Sequence, residues 1–142
     1  MKRYLGILGL SFLLVACGDD DASTNEEKTG NIVATTGQIA DAVKVISGEH
    51  LEVTTLMGPG VDPHLYKATQ SDLTKLNNAE VIFYNGLHLE GQMIDIFDQM
   101  AEEKTVLAVA EKLDEGKLLA DEEDATLHDP HVWFDIDLWK EV

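Results

Sequence analysis

Three prolines and five histidines are spread over 142 residues, and two of the prolines stand in the same tripeptide. Asp62-Pro63-His64 and Asp129-Pro130-His131 repeat an acid, a ring-fixed backbone and an imidazole in that order. Imidazole is the commonest side-chain ligand for metal ions, through whichever ring nitrogen keeps its lone pair. Proline fixes φ just before the histidine and so stiffens the approach of the ring. A carboxylate close by can accept a hydrogen bond from the other ring nitrogen, which sets the tautomer and orients the ligand. A single loop histidine more often only hydrogen-bonds; the matched pair favours metal. We therefore read His64 and His131 as metal ligands, with Asp62 and Asp129 as supporting acids. Two imidazoles do not complete a site, because zinc and manganese usually take three or more protein ligands. The only cysteine, Cys17, is remote from both tripeptides. The missing ligands are expected to be carboxylates or histidines in sequence not present here.

The remaining candidates carry weaker readings. His128 precedes His131 by three residues in an acidic loop and reads as solvated more readily than as an accessory ligand. His88 sits between a strand and a helix and reads as a support residue; His50 precedes a strand and reads as surface. Glu90 is either a supporting acid or a carboxylate favoured by a helix N-terminus. Trp133 and Phe134 read as core and cleft-wall residues.

The elements that must position the pair follow from hydrophobic patterning. Ile32–Thr36 (IVATT) is β-branched and apolar, a buried strand. Gln38–Ile46 repeats Ile39, Val43 and Ile46 at helical spacing, with Gly48 as its stop. Leu51–Met57 is a second strand, followed by the turn-rich Gly58-Pro59-Gly60 loop that leads into His64. Ser71–Ala79 is a helix with Ser71 as its cap and Leu73 and Leu76 inward. Glu80–Tyr84 is a third strand, Met93–Met100 a helix, and Thr105–Val109 a fourth strand. Glu111–Thr126 is acidic and irregular, and Asp137 caps a helix that begins at Leu138. This alternation predicts an α/β fold, a parallel sheet flanked by helices. Such sheets bind ligands in the loops beyond the carboxyl ends of their strands. The helix opened by Asp137 is not closed before Val142, so we expect the protein to continue.

The N-terminus reads as an export signal. Lys2 and Arg3 precede an apolar run from Leu5 to Val15, too short to span a bilayer as a helix. It ends in Leu14-Val15-Ala16-Cys17, which resembles the bacterial lipobox, where the cysteine is diacylated and becomes the mature N-terminus. Gly18–Asn31 is acidic and almost free of apolar residues, a tether that cannot bury enough surface to fold. The expected organisation is a signal peptide over 1–16, a lipidated Cys17 and tether over 17–31, and a metal-binding lobe over 32–142. With 10 basic against 27 acidic residues, the net charge is −17. Such a surface disfavours nucleic acid and anionic headgroups and attracts cations.

Beyond these readings, the segment Leu56–Tyr66 (LMGPGVDPHLY) resembles the first signature of the metal-specific solute-binding lipoproteins of ABC transporters, also called the adhesin-lipoprotein family. The likeness continues through Asp72, Leu76, Asn85–Glu90 (NGLHLE) and Asp129–Trp133 (DPHVW), in order and spacing, and includes the lipobox. It implies the N-terminal lobe of a protein of two α/β lobes joined by a long helix, with the metal in the cleft between them. His64 and His131 fall on the two ligands of this lobe. A His or Glu and an Asp would come from the second lobe, beyond Val142. The resemblance is closest to the manganese-binding members of Gram-positive bacteria. Zinc-specific relatives carry a histidine-rich loop that Glu111–Thr126 lacks, which favours Mn(II) over Zn(II) as cargo. The implied partners are an ABC permease and its ATPase, with the lipid anchor on the extracytoplasmic face of the cell membrane. Two rival readings are a surface adhesin and a metal-dependent hydrolase. The latter needs a positioned general base, and no H-E-x-x-H motif is present.

If Cys17 is the lipidated N-terminus, wild-type protein expressed in a Gram-positive host takes up labelled palmitate and fractionates with membranes. Cys17→Ser should lose both properties. Label-free wild type together with membrane-bound Cys17→Ser would refute the assignment.

Overall fold

The computed structural model describes residues 30–122 and 124–142. The signal peptide, Cys17 and nearly all of the tether lie outside the described residues. Four short parallel strands form one sheet: β1 (Asn31–Ala34), β2 (Glu52–Thr55), β3 (Val81–Tyr84) and β4 (Thr105–Ala108). Their spatial order is β2-β1-β3-β4, and every pairing is parallel. The crossovers are helical: α1 (Gly37–Ser47) from β1 to β2, α2 (Gln70–Asn78) from β2 to β3, and α3 (Ile94–Ala101) from β3 to β4. A last short helix, α4 (Ile136–Trp139), closes the described chain. The parallel sheet flanked by helices is the α/β architecture that the patterning predicts. Parallel strands need such crossovers, and these cover both faces of the sheet.

Side-chain alternation along the strands divides the core into two layers. Val33 and Ile82, both fully buried, pack with Leu76, Met93 and Phe97 on the α2/α3 face. Ala34 and Phe83 meet Ile39, Ala40 and Val43 of α1 and Trp139 of α4 on the other face. Full burial of a side chain the size of Phe97 or Ile82 contributes about 1.5–3 kcal/mol. A third cluster, Ala110, Leu113, Val132 and Leu138, ties the segment after β4 to the segment that follows His131.

Several boundaries differ from the sequence reading. The strands are shorter than expected, although Leu56 and Met57 still donate to the carbonyls of Ala34 and Thr35 beyond the end of β2. Ile46 is 86% exposed, not inward. It borders an open apolar groove lined also by Val43, Phe83 and Trp139. The cap of α2 is Thr69, not Ser71. Its hydroxyl accepts from the Asp72 amide while the Asp72 carboxylate accepts from the Thr69 amide, a reciprocal capping box. Likewise Asp135, not Asp137, caps α4 by accepting from the amides of Asp137 and Leu138, and Asp137 pairs with Lys140 on the surface. In both helices a better-placed oxygen lies two residues upstream of the expected cap. Glu111–Thr126 is less irregular than expected: it holds two single 3-10 turns, Ala110–Lys112 and Glu115–Lys117, and Ala120 bridges to His128.

The capping box does more than start a helix. The buried Asp72 carboxylate also accepts the Tyr66 hydroxyl at 2.7 Å, the Thr69 hydroxyl at 2.6 Å and the Lys75 ammonium at 3.0 Å. Tyr66 lies two residues after His64, so this knot anchors the exit of the His64 loop. Burial pushes the Asp72 pKa up, but the donors from Thr69, Tyr66 and Lys75 outweigh it and hold the carboxyl well below the usual range. Burial and the bond to Asp72 push the Tyr66 hydroxyl up to about 12. A carboxylate depressed in the folded state contributes stability above its unfolded value, about 3.9, and loses it as pH falls through the folded value. Asp72→Asn should therefore destabilise the intact protein by about 2 kcal/mol at neutral pH. The gap to wild type should narrow as pH drops below about 4. Urea unfolding midpoints at neutral and acidic pH test this; a gap independent of pH would contradict it.

Candidate metal centre

The sheet gathers its loops at the carboxyl edge, and both Asp-Pro-His tripeptides converge there. The first follows β2 through Gly58–Gly60, where Gly60 adopts φ 82°, a conformation that favours glycine. Asp62 Oδ1 accepts the His64 amide at 2.9 Å, a local turn that sets the backbone of the His64 loop. The second tripeptide repeats this turn, with Asp129 Oδ1 accepting the His131 amide at 2.9 Å. Here the same oxygen also meets Nδ1 of the His131 ring at 2.7 Å. That contact puts a proton on Nδ1 and leaves Nε2 free as an electron-pair donor. The hydrogen bond from the His131 amide, helped by that from its ring, outweighs partial burial and holds the Asp129 carboxyl below the usual carboxylate range.

The free Nε2 of His131 faces Nε2 of His64 at 3.4 Å, although the two residues are 67 apart in sequence. Two nitrogens bound to one tetrahedral zinc at 2.0–2.1 Å stand roughly 3.4 Å apart. Without an ion, one imidazole can donate its Nε2 proton to the other across the same gap. The rings are 5.4 Å apart between centroids, tilted by 49°. Trp133 meets the His131 ring edge-on at 5.2 Å, as a wall residue should. Phe134 is 81% exposed, so it belongs to the rim and not to the core. Among the described residues, no group of three or more His, Cys, Asp or Glu side chains is arranged to hold a metal. The structure thus brings together His64, His131 and Asp129. It leaves Asp62 on the backbone side of its loop.

Glu90 does not take the helix-start role open to it in sequence. It precedes the 3-10 turn Gly91–Met93 but makes no side-chain capping bond there. Its fully buried carboxylate turns back to accept the Thr35 hydroxyl at 2.6 Å and the amides of Asn85 and Gly86 at 2.9 and 3.2 Å. Burial pushes its pKa up, and these three donors offset part of that rise. The segment it grips is unusual. Gly86, Leu87 and His88 have φ of 81°, 51° and 63° in succession. The left-handed region costs a residue with a Cβ roughly 1–2 kcal/mol, and such strain persists only where the surroundings enforce it. A Cβ on Gly86 would stand 2.9 Å from Glu111 Cγ and 3.0 Å from Ala108 Cβ, so glycine is required there twice over.

His88 and His128 share a separate cavity of about 350 Å³, lined also by Glu111 and Glu115. The buried Nδ1 of His128 has no hydrogen-bond partner. His128 therefore sits neither in open solvent nor beside the His64–His131 pair. Asn85 entered the sequence reading only as the first residue of the NGLHLE stretch, with no role assigned to it. Its amide nitrogen donates to the carbonyls of Gly86 at 3.1 Å and Pro130 at 3.0 Å, linking the turn after β3 to the His131 loop. An Asn-Gly pair after a strand signals a turn, and the NGLHLE stretch does not say that its Asn reaches a loop 45 residues on.

Known proteins now place the chain. The family described as "ZnuA: Zinc-uptake complex component A periplasmic" matches residues 32–142. The manganese-binding lipoprotein MntA of Bacillus subtilis is 50% identical over 133 residues, which are 94% of this chain and 43% of that protein. The zinc-binding protein TroA of Treponema pallidum is 46% identical over 124 residues, covering 87% of this chain and 39% of that protein. The iron ABC transporter substrate-binding lipoprotein MtsA of Streptococcus pyogenes is 34% identical over 143 residues, 96% of this chain and 46% of that protein. The solved structure of the Treponema pallidum periplasmic zinc-binding protein TroA superimposes with a TM-score of 0.75 at 47% identity, over 80% of this chain and 40% of that one. A Mn-bound periplasmic metal-binding protein from candidatus Liberibacter asiaticus gives 0.69 at 27% identity, over 80% and 41%. The chain spans less than half the length of these curated relatives. On the family match and the convergent fold, the chain belongs to the ZnuA family of periplasmic metal-uptake components.

Proposed function

We propose that this chain is the N-terminal lobe of an extracytoplasmic, lipid-anchored substrate-binding protein. It captures Mn(II), or Zn(II), and delivers the ion to the permease and ATPase of an ABC importer. The observation that carries the reading is the meeting of two imidazole Nε2 atoms at 3.4 Å, with one ring's tautomer fixed by Asp129. His64 and His131 are the two ligands of this lobe, Asp129 orients the second, and Asp62 shapes the loop of the first. The remaining ligands come from a second lobe beyond Val142, which completes a coordination sphere that two nitrogens leave open. An open, incomplete half-site suits a carrier that must release its cargo. We read the protein as a carrier and not an enzyme.

Relatives named for manganese, zinc and iron support a first-row metal ion as cargo. Manganese remains our choice, on the relative of highest identity among the three and on the histidine-free acidic loop. The relatives' names are those of metal binding and transport, which favours import over the adhesin reading. Two of the three are named lipoproteins, in keeping with acylation of Cys17 and a Gram-positive cell surface.

In the intact protein, His64→Ala and His131→Ala should each weaken binding of manganese and zinc by a large factor. The double substitution should cost little more than either alone, because both act on one ion. Zinc should bind more tightly than manganese in every variant. His128→Ala is the control and should be nearly silent. Calorimetric titration reads all of these. Loss of binding in His128→Ala with none in His131→Ala would show the ligand to be misassigned.

A further inference from the structure

The His131 backbone is held from both sides of one peptide bond. On one side the amide of His131 donates to Asp129 Oδ1 at 2.9 Å. On the other the carbonyl of Pro130 accepts from Asn85 Nδ2 at 3.0 Å and from the Val132 amide at 2.9 Å. The first and third of these bonds are local and travel with the loop. Only the bond from Asn85 refers the loop to the sheet. Asn85 is itself immobilised: it is fully buried, directly follows β3, and its own amide is gripped by the Glu90 carboxylate at 2.9 Å. Glu90 in turn takes the hydroxyl of Thr35 at the end of β1. A continuous chain of hydrogen bonds therefore runs from two central strands, through Glu90 and Asn85, to the peptide in front of His131.

We propose that Asn85 is a positioning residue for His131, fixing the ligand's ring against His64 through the Pro130 carbonyl. The proposal rests on the reading of His131 as a metal ligand. Two features of the site call for such a reference point. A metal constrains ligand nitrogens to within a few tenths of an ångström, and the His131 segment itself holds only single 3-10 turns and no strand. The strained turn over Gly86–His88 gains a purpose as well. It wraps the amides of Asn85 and Gly86 around Glu90 and leaves the Asn85 side chain facing the Pro130 loop.

The test is a double-substitution cycle read by zinc titration of the intact protein, because the tighter-binding ion keeps weakened sites measurable. Asn85→Ala should lower zinc affinity by about ten- to a hundredfold, the usual effect of removing a group that orients a ligand. In a His131→Ala background the same change should alter the residual affinity by less than about twofold, since its route to the metal is already gone. Equal losses in both backgrounds would show general loosening and overturn the proposal. So would loss in His131→Ala with none in Asn85→Ala. Unchanged binding in His131→Ala would remove the ligand reading itself, and this proposal with it. If Asn85→Ala does not fold, Asn85→Ser keeps one donor and runs the same cycle. Failure of both to fold would mark Asn85 as a residue of the fold and count against a positioning role.

Discussion

The Nε2 atoms of His64 and His131 stand 3.4 Å apart on loops that share no sequence neighbourhood, and three carboxylates of the lobe help to hold those loops in place. A single contact between two imidazoles is too weak to bring two distant loops together. Their closeness has to be imposed by the scaffold, and the scaffold does so with carboxylates. Asp129 orients one ring directly. Asp72 anchors the exit of the His64 loop through Tyr66. Glu90 anchors the turn that touches the His131 loop. All three accept several donors at once, which is how a buried or half-buried charge is made tolerable.

The parallel sheet supplies the common frame. Its order, β2-β1-β3-β4, sets β2 beside β1 and β1 beside β3. The loops after β2 and β3, together with the end of β1, are therefore neighbours at one edge, as a parallel strand arrangement requires. The His64 loop continues β2, and the turn that receives the Pro130 carbonyl continues β3. The His131 segment has no strand of its own. It is tied down instead by the apolar cluster of Ala110, Leu113, Val132 and Leu138 and by Asn85. The stability of the lobe and the geometry of the pair thus draw on the same contacts. Where preorganisation is high, the free-energy cost of ordering the ligands is met before the ion arrives.

What the sequence made legible was of two kinds. Periodicity exposed the alternating elements, and repetition exposed the Asp-Pro-His pair, because both are local patterns. Helix caps were displaced by two residues because several Ser, Thr and Asp side chains compete at each start, and only the folded backbone decides which oxygen faces the free amides. Ile46 shares the spacing of Ile39 and Val43 because helical periodicity says which residues share a face, not which of them another element covers. The supporting shell was largely hidden. Asp129 and Asp62 look alike in sequence, yet only one reaches its imidazole ring. Glu90 reads as either a supporting acid or a helix-start acid, and only the folded chain shows its carboxylate turned back onto Asn85, Gly86 and Thr35. Asn85 acts on a carbonyl 45 residues away, and no local pattern encodes such a contact.

The central claim is that His64 and His131 bind one ion through Nε2, with Nδ1 of His131 kept protonated by Asp129. Cadmium NMR of the intact protein, loaded with a spin-active cadmium isotope and carrying isotope-labelled histidine, reads this directly. Scalar coupling from one cadmium signal to Nε2 of both His64 and His131 is the predicted result. Coupling through Nδ1 of His131, or to His88 or His128 in place of either member of the pair, would contradict the account.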